Sequence, residues 1–239
     1  MSIKPAQSQY LRISDQLAED IAHGRLAAGE RLATERDMAE HFGCTRVTLR
    51  QALQRLEAQG ALYRGHRRGW FVSPTPIRYD PTRITGFMEY VSAQGREPRT
   101  ECLLAEQRPA GAWLAPRMGL GADDLVFYLQ RRRWVDGRPV LLETNVLNPT
   151  WCPGLLEHRL DGSLTALLRD HYGRQQARSQ INLKPCLLDE GQSAELEIAS
   201  GSSGLYLERV CFAQDGSIVE FDREFWRPDA VEVSLAIDR

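Results

Sequence analysis

At 239 residues the chain can form one large domain or two modest ones. Its 42% hydrophobic and 26% charged residues are those of a soluble globular protein, and no stretch approaches the roughly 20 apolar residues needed to span a membrane. The net charge of −2 hides an asymmetry: residues 1–76 hold 11 Lys and Arg against 8 Asp and Glu (net +3), the remainder 19 against 24 (net −5). A basic excess confined to one end fits a nucleic-acid-binding part joined to an acidic part that avoids the duplex.

Residues 8–23 carry Tyr10, Ile13, Leu17 and Ile21 on one helical face, and Gly24 stops the helix. Thr34 to Gly43 reads as a shorter helix, with Thr34 as N-cap, Asp37 in a capping-box-like role, and Met38, Ala39 and Phe42 inward. Gly43-Cys44 allows only a tight turn. Thr45 to Gly60 then places Leu49, Ala52, Leu53 and Leu56 at i, i+3, i+4, i+7, a buried stripe. Its other face holds Arg46 and Arg50 with Thr45 and Thr48, donors suited to a major groove, though two arginines a turn apart also fit an ordinary solvated face. Ala61–Arg64 and Trp70–Val72 have strand composition around the basic turn 65–69, a β-hairpin wing with His66, Arg67 and Arg68 at its tip.

Helix, glycine turn, helix and wing in this order resemble the winged-helix domain of GntR-type bacterial transcription regulators, over LAAGERLATERDMAEHFGCTRVTLRQALQRLEAQGALYR and the wing. The resemblance covers residues 1–72. It implies DNA contacts by Arg36, Thr45, Arg46, Thr48 and Arg50, with His66, Arg67 and Arg68 on the wing. One departure stands out. The family writes its wing end Gly-x-Gly-Thr-Phe-Val, whereas this chain has Arg67-Arg68-Gly69-Trp70-Phe71-Val72, which makes the wing more electrostatic.

Ser73-Pro-Thr-Pro76 reads as an extended, semi-stiff linker, and residues 73–80 as the boundary between the domains. A helix is expected over 84–94, with Phe87 and Val91 inward. Strands are expected over 100–107, 125–135, 140–147, 181–187, 205–213, 218–226 and 231–237, and helices over 163–172 and 192–197. Asp136-Gly137 and Asp215-Gly216 sit between strand pairs as hairpin signals. Hairpin-joined strands with few intervening helices predict an antiparallel sheet with packed helices, an α+β fold.

Arg131-x-Arg133, Asp136-Gly137-x-Pro139, Glu143, Pro153-Gly154-Leu155, Ser163-Leu164, Tyr172-Gly173, Asp215-Gly216 with Glu220, and Trp226-Arg227-x-Asp229 resemble the UTRA effector-binding domain of the HutC branch of the GntR family, whose fold is like that of chorismate lyase. This second resemblance covers residues 81–239. It implies a small effector, often phosphorylated or carboxylated, that changes DNA affinity. Arg67–Pro74 and Tyr79-Asp80-Pro81-Thr82 look like regulators of phosphonate utilisation.

Strand periodicity sends Arg131 and Arg133 to one face and Arg132 to the other. The pair reads either as a solvated strand face or as two guanidinium forks on an anion. Ser163 reads either as a simple helix cap or as part of an anion site. Taking the functional branch of both, Arg131, Arg133, Ser163 and Thr165 hold the anionic end of the effector. Glu143 and Glu220 take its hydroxyl or amine end, and Phe87 and Trp226 form apolar walls. Glu143 shares a face with the arginines if the hairpin has a three-residue loop, Asp136-Gly137-Arg138, the register expected here.

Five scattered cysteines (44, 102, 152, 186 and 211) form no CxxC pair, and an odd count without a signal peptide reads as reduced thiols in a cytoplasm. No metal and no cofactor are expected. The alternative is an enzyme of chorismate lyase-like fold fused to a DNA-binding domain. Against it, the chain holds no GxSxG, HExxH, GxxxxGK[ST] or GxGxxG, and Ser163 and His171 lie about 12 Å apart along a helix. The expectation is a cytoplasmic, homodimeric, ligand-responsive regulator that represses at an inverted-repeat operator in double-stranded DNA.

Overall fold

The computed structural model describes residues 8–236. The N-terminal part comprises α1 (Gln9–Ala22), α2 (Glu35–His41), α3 (Arg46–Ala58) and the hairpin β1 (Leu62–Gly65) and β2 (Gly69–Val72). The stripes read from the sequence meet in one cluster: Ile13 and Leu17 of α1, Met38 of α2, Leu49, Leu53 and Leu56 of α3, and Leu62 and Trp70 of the wing. Both motif helices are capped as expected. The Thr34 hydroxyl accepts from the Asp37 N–H at 3.3 Å and donates to the Asp37 carboxylate at 2.8 Å. The Thr45 hydroxyl accepts from the Thr48 N–H at 3.2 Å.

The C-terminal part is built on a six-stranded antiparallel sheet of order β4-β5-β6-β9-β8-β7. Its strands are β4 (Pro98–Pro109), β5 (Leu125–Val135), β6 (Arg138–Leu147), β7 (Arg178–Leu187), β8 (Ser203–Phe212) and β9 (Ile218–Trp226). One face packs against α4 (Phe87–Ser92) and α6 (Leu164–Asp170), through Phe87 and Val91 on Leu141 and Trp226, and Leu164 and Leu168 on Phe127 and Leu129. The other face carries α5 (Gly111–Met118), through Leu114, Ala115 and Met118 on Val126, Val146 and Phe221. Beside α5, the segment after α7 (Glu190–Glu195) packs Leu196 and Ile198 on Leu142 and Phe225. The architecture is α+β.

Three expectations change. Helix α5 was not anticipated. Part of the expected linker is a strand: β3 (Ile77–Tyr79) pairs in parallel with β10 (Val231–Val233), burying Ile77 and Tyr79. The expected strand 231–237 is therefore shorter, and residue 237 lies outside the described residues.

The third change concerns the β5–β6 turn. It is a two-residue loop, not the three-residue loop expected, with Val135 opposite Arg138 and Asp136 and Gly137 both left-handed (φ +50° and +73°). Two positive φ values suit the twist of a hairpin, and Asp tolerates that region better than most residues. The Asp136 carboxylate is held by the Arg96 guanidinium and by the Glu97 N–H at 2.8 Å. One extra residue, Val140, is then accommodated between the Trp134–Pro139 and Arg133–Leu141 pairs. This bulge restores the register that the loop had shifted, so Arg131 still lies opposite Glu143.

Candidate effector site and nucleic-acid interface

On α3, Thr45, Arg46 and Arg50 are exposed and Thr48 is half-buried, its hydroxyl 2.9 Å from that of Thr45. Arg46 forms no ion pair among the described residues. Arg50 is engaged instead: its Nη2 and Nε donate to the two Glu35 carboxylate oxygens at 2.6 and 3.4 Å. Glu35 also accepts from Trp70 Nε1 at 3.1 Å and so ties α2, α3 and the wing together. The Arg50 hydrogen bond holds this carboxylate below its usual range despite burial. Arg36 is exposed, 3.4 Å from Asp37. Sequence reasoning passed over Val47, which is 68% exposed on the same helix end and offers an apolar contact for a thymine methyl.

At the wing tip His66 and Arg67 are exposed. Arg67, standing where the family has glycine, adopts the left-handed conformation (φ +55°). Arg68 is not free. Its Nη1 donates to Glu197 at 3.3 Å, and the wing is docked against the segment after α7. Gly65 forms an antiparallel bridge with Ile198, the Ala199 N–H donates to the Arg64 carbonyl at 2.9 Å, and the His66 N–H to the Glu197 carbonyl at 3.3 Å. The guanidinium groups of Arg138 and Arg227 lie 4.3 and 4.4 Å from the Tyr63 ring, which also stacks on Phe71.

In the sheet domain, the face under α4 and α6 holds a cavity of about 50 Å³. Phe87, Arg131, Arg133, Glu143, Thr165 and Glu220 line it, which brings six of the eight expected effector residues together. Arg131 and Arg133 are buried, 2% and 4% exposed. Both guanidinium groups donate to the same oxygen of Glu143, Arg133 at 2.7 Å. Burial alone would push Glu143 up, but the two arginines outweigh it and hold the carboxylate below its usual range. Burial, with Arg133 alongside, lowers Arg131 to about 10. Arg133 also donates to the Thr100 hydroxyl at 2.5 Å and lies 5.0 Å from the Phe87 ring. Arg131 donates to Asn145 at 2.9 Å.

The other two expected residues stand behind the cavity. Ser163 caps α6 by accepting from the Ala166 N–H at 3.1 Å, and it lies under Gly86, where a Cβ would come within 2.6 Å of its hydroxyl. Trp226, 1% exposed, stacks against Tyr79 and donates to Glu224 at 2.7 Å, so it buttresses the cavity from below.

Polar lining residues were missed, among them Asn145, Arg209, Asp222 and Glu224. Asp222 accepts from Asn145 at 2.7 Å, and Arg209 donates to the Tyr79 hydroxyl and, at 3.3 Å, to Glu224. Burial pushes Glu224 up to about 7, and burial with Glu220 alongside pushes Asp222 well above the usual carboxylate range. The alternation Glu220, Asp222, Glu224 along β9 was a readable signal. Arg209 joins them only through the β8–β9 register, opposite Asp222.

His158 and His171 pack edge to face, 4.4 Å between ring centroids, and both contact Tyr172. All five cysteines are free. Among the described residues, the group with donor atoms close enough to hold a metal is Cys211, Glu220 and Asp222, and no helix is long and apolar enough to cross a membrane.

Residues 9–72 match the gntR family of bacterial regulatory proteins, and residues 93–232 match the UTRA domain. The chain belongs to the GntR regulators that carry a UTRA domain. It is 29% identical over 232 residues to an uncharacterized HTH-type transcriptional regulator, YihL, of Escherichia coli, covering 96% of this chain and 98% of that one. It is 28% identical over 232 residues to the mannosyl-D-glycerate transport/metabolism system repressor MngR of Escherichia coli, covering 96% of each. The crystal structure of PhnF from Mycobacterium smegmatis superposes with a TM-score of 0.66 at 27% identity, covering 97% of this chain and 99% of that one. These relatives are transcription regulators, not enzymes, and this GntR–UTRA chain is a transcription regulator of the same type.

Proposed function

We propose that this regulator is a cytoplasmic homodimeric repressor that reads an inverted-repeat operator and is released by a small anionic effector bound on the sheet domain. Thr45, Arg46, Thr48 and Arg50 enter the major groove, while Arg36, His66, Arg67 and Arg68 meet phosphates. The anionic end of the effector, a phosphonate or a phosphorylated or carboxylated metabolite, takes the place of the Glu143 carboxylate against Arg131 and Arg133, with Thr165 and Ser163 beside it. The signature resembling phosphonate-utilisation regulators supports a phosphonate. A carboxylate is supported by the likeness to a repressor named for mannosyl-D-glycerate. Strand β7, at the sheet edge, has none of its residues buried and leaves Leu187 75% exposed, a surface suited to a second copy.

The observation that carries this reading is the continuity between cavity and wing. Arg132, between the two cavity arginines, grips α7; Arg227, next to the Trp226 buttress, donates to the Leu196 carbonyl at 3.0 Å and lies on Tyr63 of the wing. The Glu197 carboxylate takes one N–H of Arg68 and sets a negative charge at the wing tip that repels a phosphate, so the docked wing competes with operator. The effector favours the docked state. Fluorescence anisotropy on a duplex selected from a random library tests the DNA half. Arg46→Ala should cost about 1–3 kcal/mol on the selected duplex and relax its specificity. Equal wild-type affinity for selected and scrambled duplexes at physiological salt would remove the reading.

A further inference from the structure

The cavity has an acidic half as well as an arginine half. Resting on the effector reading above, we infer that the effector is a zwitterion, with an ammonium group received by Glu220, Asp222 and Glu224 on β9 while its anionic end faces Arg131 and Arg133 on β5. The three carboxylates alternate along one strand and line the same cavity as the arginines.

Without such a ligand the charges balance only if a buried carboxylate keeps its proton. The lining holds three arginines (131, 133 and 209) and four carboxylates (143, 220, 222 and 224). Arg131 and Arg133 are taken by Glu143, and Arg209 by Glu224 and the Tyr79 hydroxyl. Among the described residues neither Glu220 nor Asp222 forms an ion pair, and a carboxylate oxygen of each lies within 4.8 Å of the other, a repulsion that favours holding a proton there. Among the described residues an unmet donor stands at the other end, Nε of Arg133, a residue 4% exposed; Nε of Arg209, beside the acidic strand, also has no partner.

A bare dianion would bring more negative charge into a buried space where four carboxylates already face three arginines, and would leave the acidic strand holding its protons. Neutral hydroxyls satisfy hydrogen bonds but leave the charge. An ammonium on the same molecule answers the excess, and its three N–H donors match three carboxylates. Only β6 separates β5 from β9, so the two halves are roughly 10 Å apart at the backbone and closer at the side-chain tips. The ligand is therefore short.

Isothermal titration calorimetry on the full-length protein, with chelator present, tests this. The probe pairs are 2-aminoethylphosphonate against ethylphosphonate and 3-aminopropylphosphonate against propylphosphonate, with inorganic phosphate as the bare anion. The ammonium-bearing member of a pair should bind at least tenfold more tightly and release protons, read from the dependence of heat on buffer ionisation. Glu220→Gln and, separately, Asp222→Asn should cut that preference below threefold while ethylphosphonate binding persists. Equal affinities within both pairs overturn the inference but leave the anion seat standing. Tighter ethylphosphonate binding on adding Zn²⁺ or Mn²⁺, matching that of the amine, also overturns it, because the acidic half then reads a metal. If no probe binds, phosphate included, the effector reading itself falls and this inference with it.

Discussion

The Arg132 guanidinium donates to both the carboxylate and the backbone carbonyl of Glu195, at 2.7 and 3.3 Å. The middle residue of a strand triplet thereby grips the last residue of α7, two positions before the Glu197 that holds the wing. Arg131 and Arg133 line the cavity while Arg132 lies on the opposite face, so any shift of β5 on binding of the proposed effector would reach the wing-docking segment.

Arg132→Ala is therefore expected to separate binding from response. Its side chain is 19% exposed and also bonds Glu101 at 2.8 Å, so some stability, about 1–2 kcal/mol, should be lost as well. Effector affinity should stay within about threefold of wild type, while the effector-induced drop in operator affinity should shrink by roughly tenfold, about 1.4 kcal/mol of coupling. Calorimetry and operator anisotropy on the same preparation measure the two. Loss of effector binding itself would mean that Arg132 supports the cavity instead of linking it to the wing.

Glu143 occupies the place against Arg131 and Arg133 that the proposed effector's anion would take. Glu143→Gln removes the charge that satisfies Arg131 and Arg133, and leaving a buried pair half-made typically costs about 3–5 kcal/mol. The variant should melt well below wild type, and millimolar phosphate should recover more of its stability than it adds to wild type. Differential scanning fluorimetry reads both. A phosphate response no larger than that of wild type would show that Glu143 does not occupy the anion seat.

The acidic strand should also leave a mark on stability against pH. Burial raises Glu224 to about 7, above the 4.5 of an exposed glutamate, so folding favours its protonated form. The stability it contributes is complete below about 4.5 and is lost as pH rises through about 7. Arg209, Glu143, Asp222 and the Trp226 indole act on the same carboxyl. Wild type should lose on the order of 1–3 kcal/mol between pH 5 and 8, and Glu224→Gln should flatten that slope. Urea titrations at pH 5, 6, 7 and 8 test it, and equal slopes in the two proteins would contradict the assignment.

What the sequence revealed followed the reach of each signal. The stripe Leu49, Ala52, Leu53, Leu56 and the alternation at Arg131 and Arg133 are local periods, and the structure buries those residues as read. Helix α5 carries no such signal. Ala110 at its start makes no side-chain cap, Pro116 lies within it, and it forms because Leu114, Ala115 and Met118 find Val126, Val146 and Phe221. The Ile77–Tyr79 strand depends on a partner more than 150 positions away. Nothing beside Val140 announces the bulge that rescues the Arg131–Glu143 register. Arg209 and the wing contacts of Glu197 and Arg227 likewise belong to tertiary pairing, so the cavity was half legible and its link to the wing was not.

The most direct test of the account is hydrogen exchange at one amide. The Ala199 N–H belongs to the sheet domain, yet its bond is to the Arg64 carbonyl of the wing, so its protection reports docking without being confused by DNA contacts. Saturating operator duplex should raise its exchange rate by at least tenfold, and effector added to the free protein should lower it. Protection that is unchanged or stronger on operator binding would mean the docked wing is the DNA-binding arrangement, and the proposed route of release would be wrong.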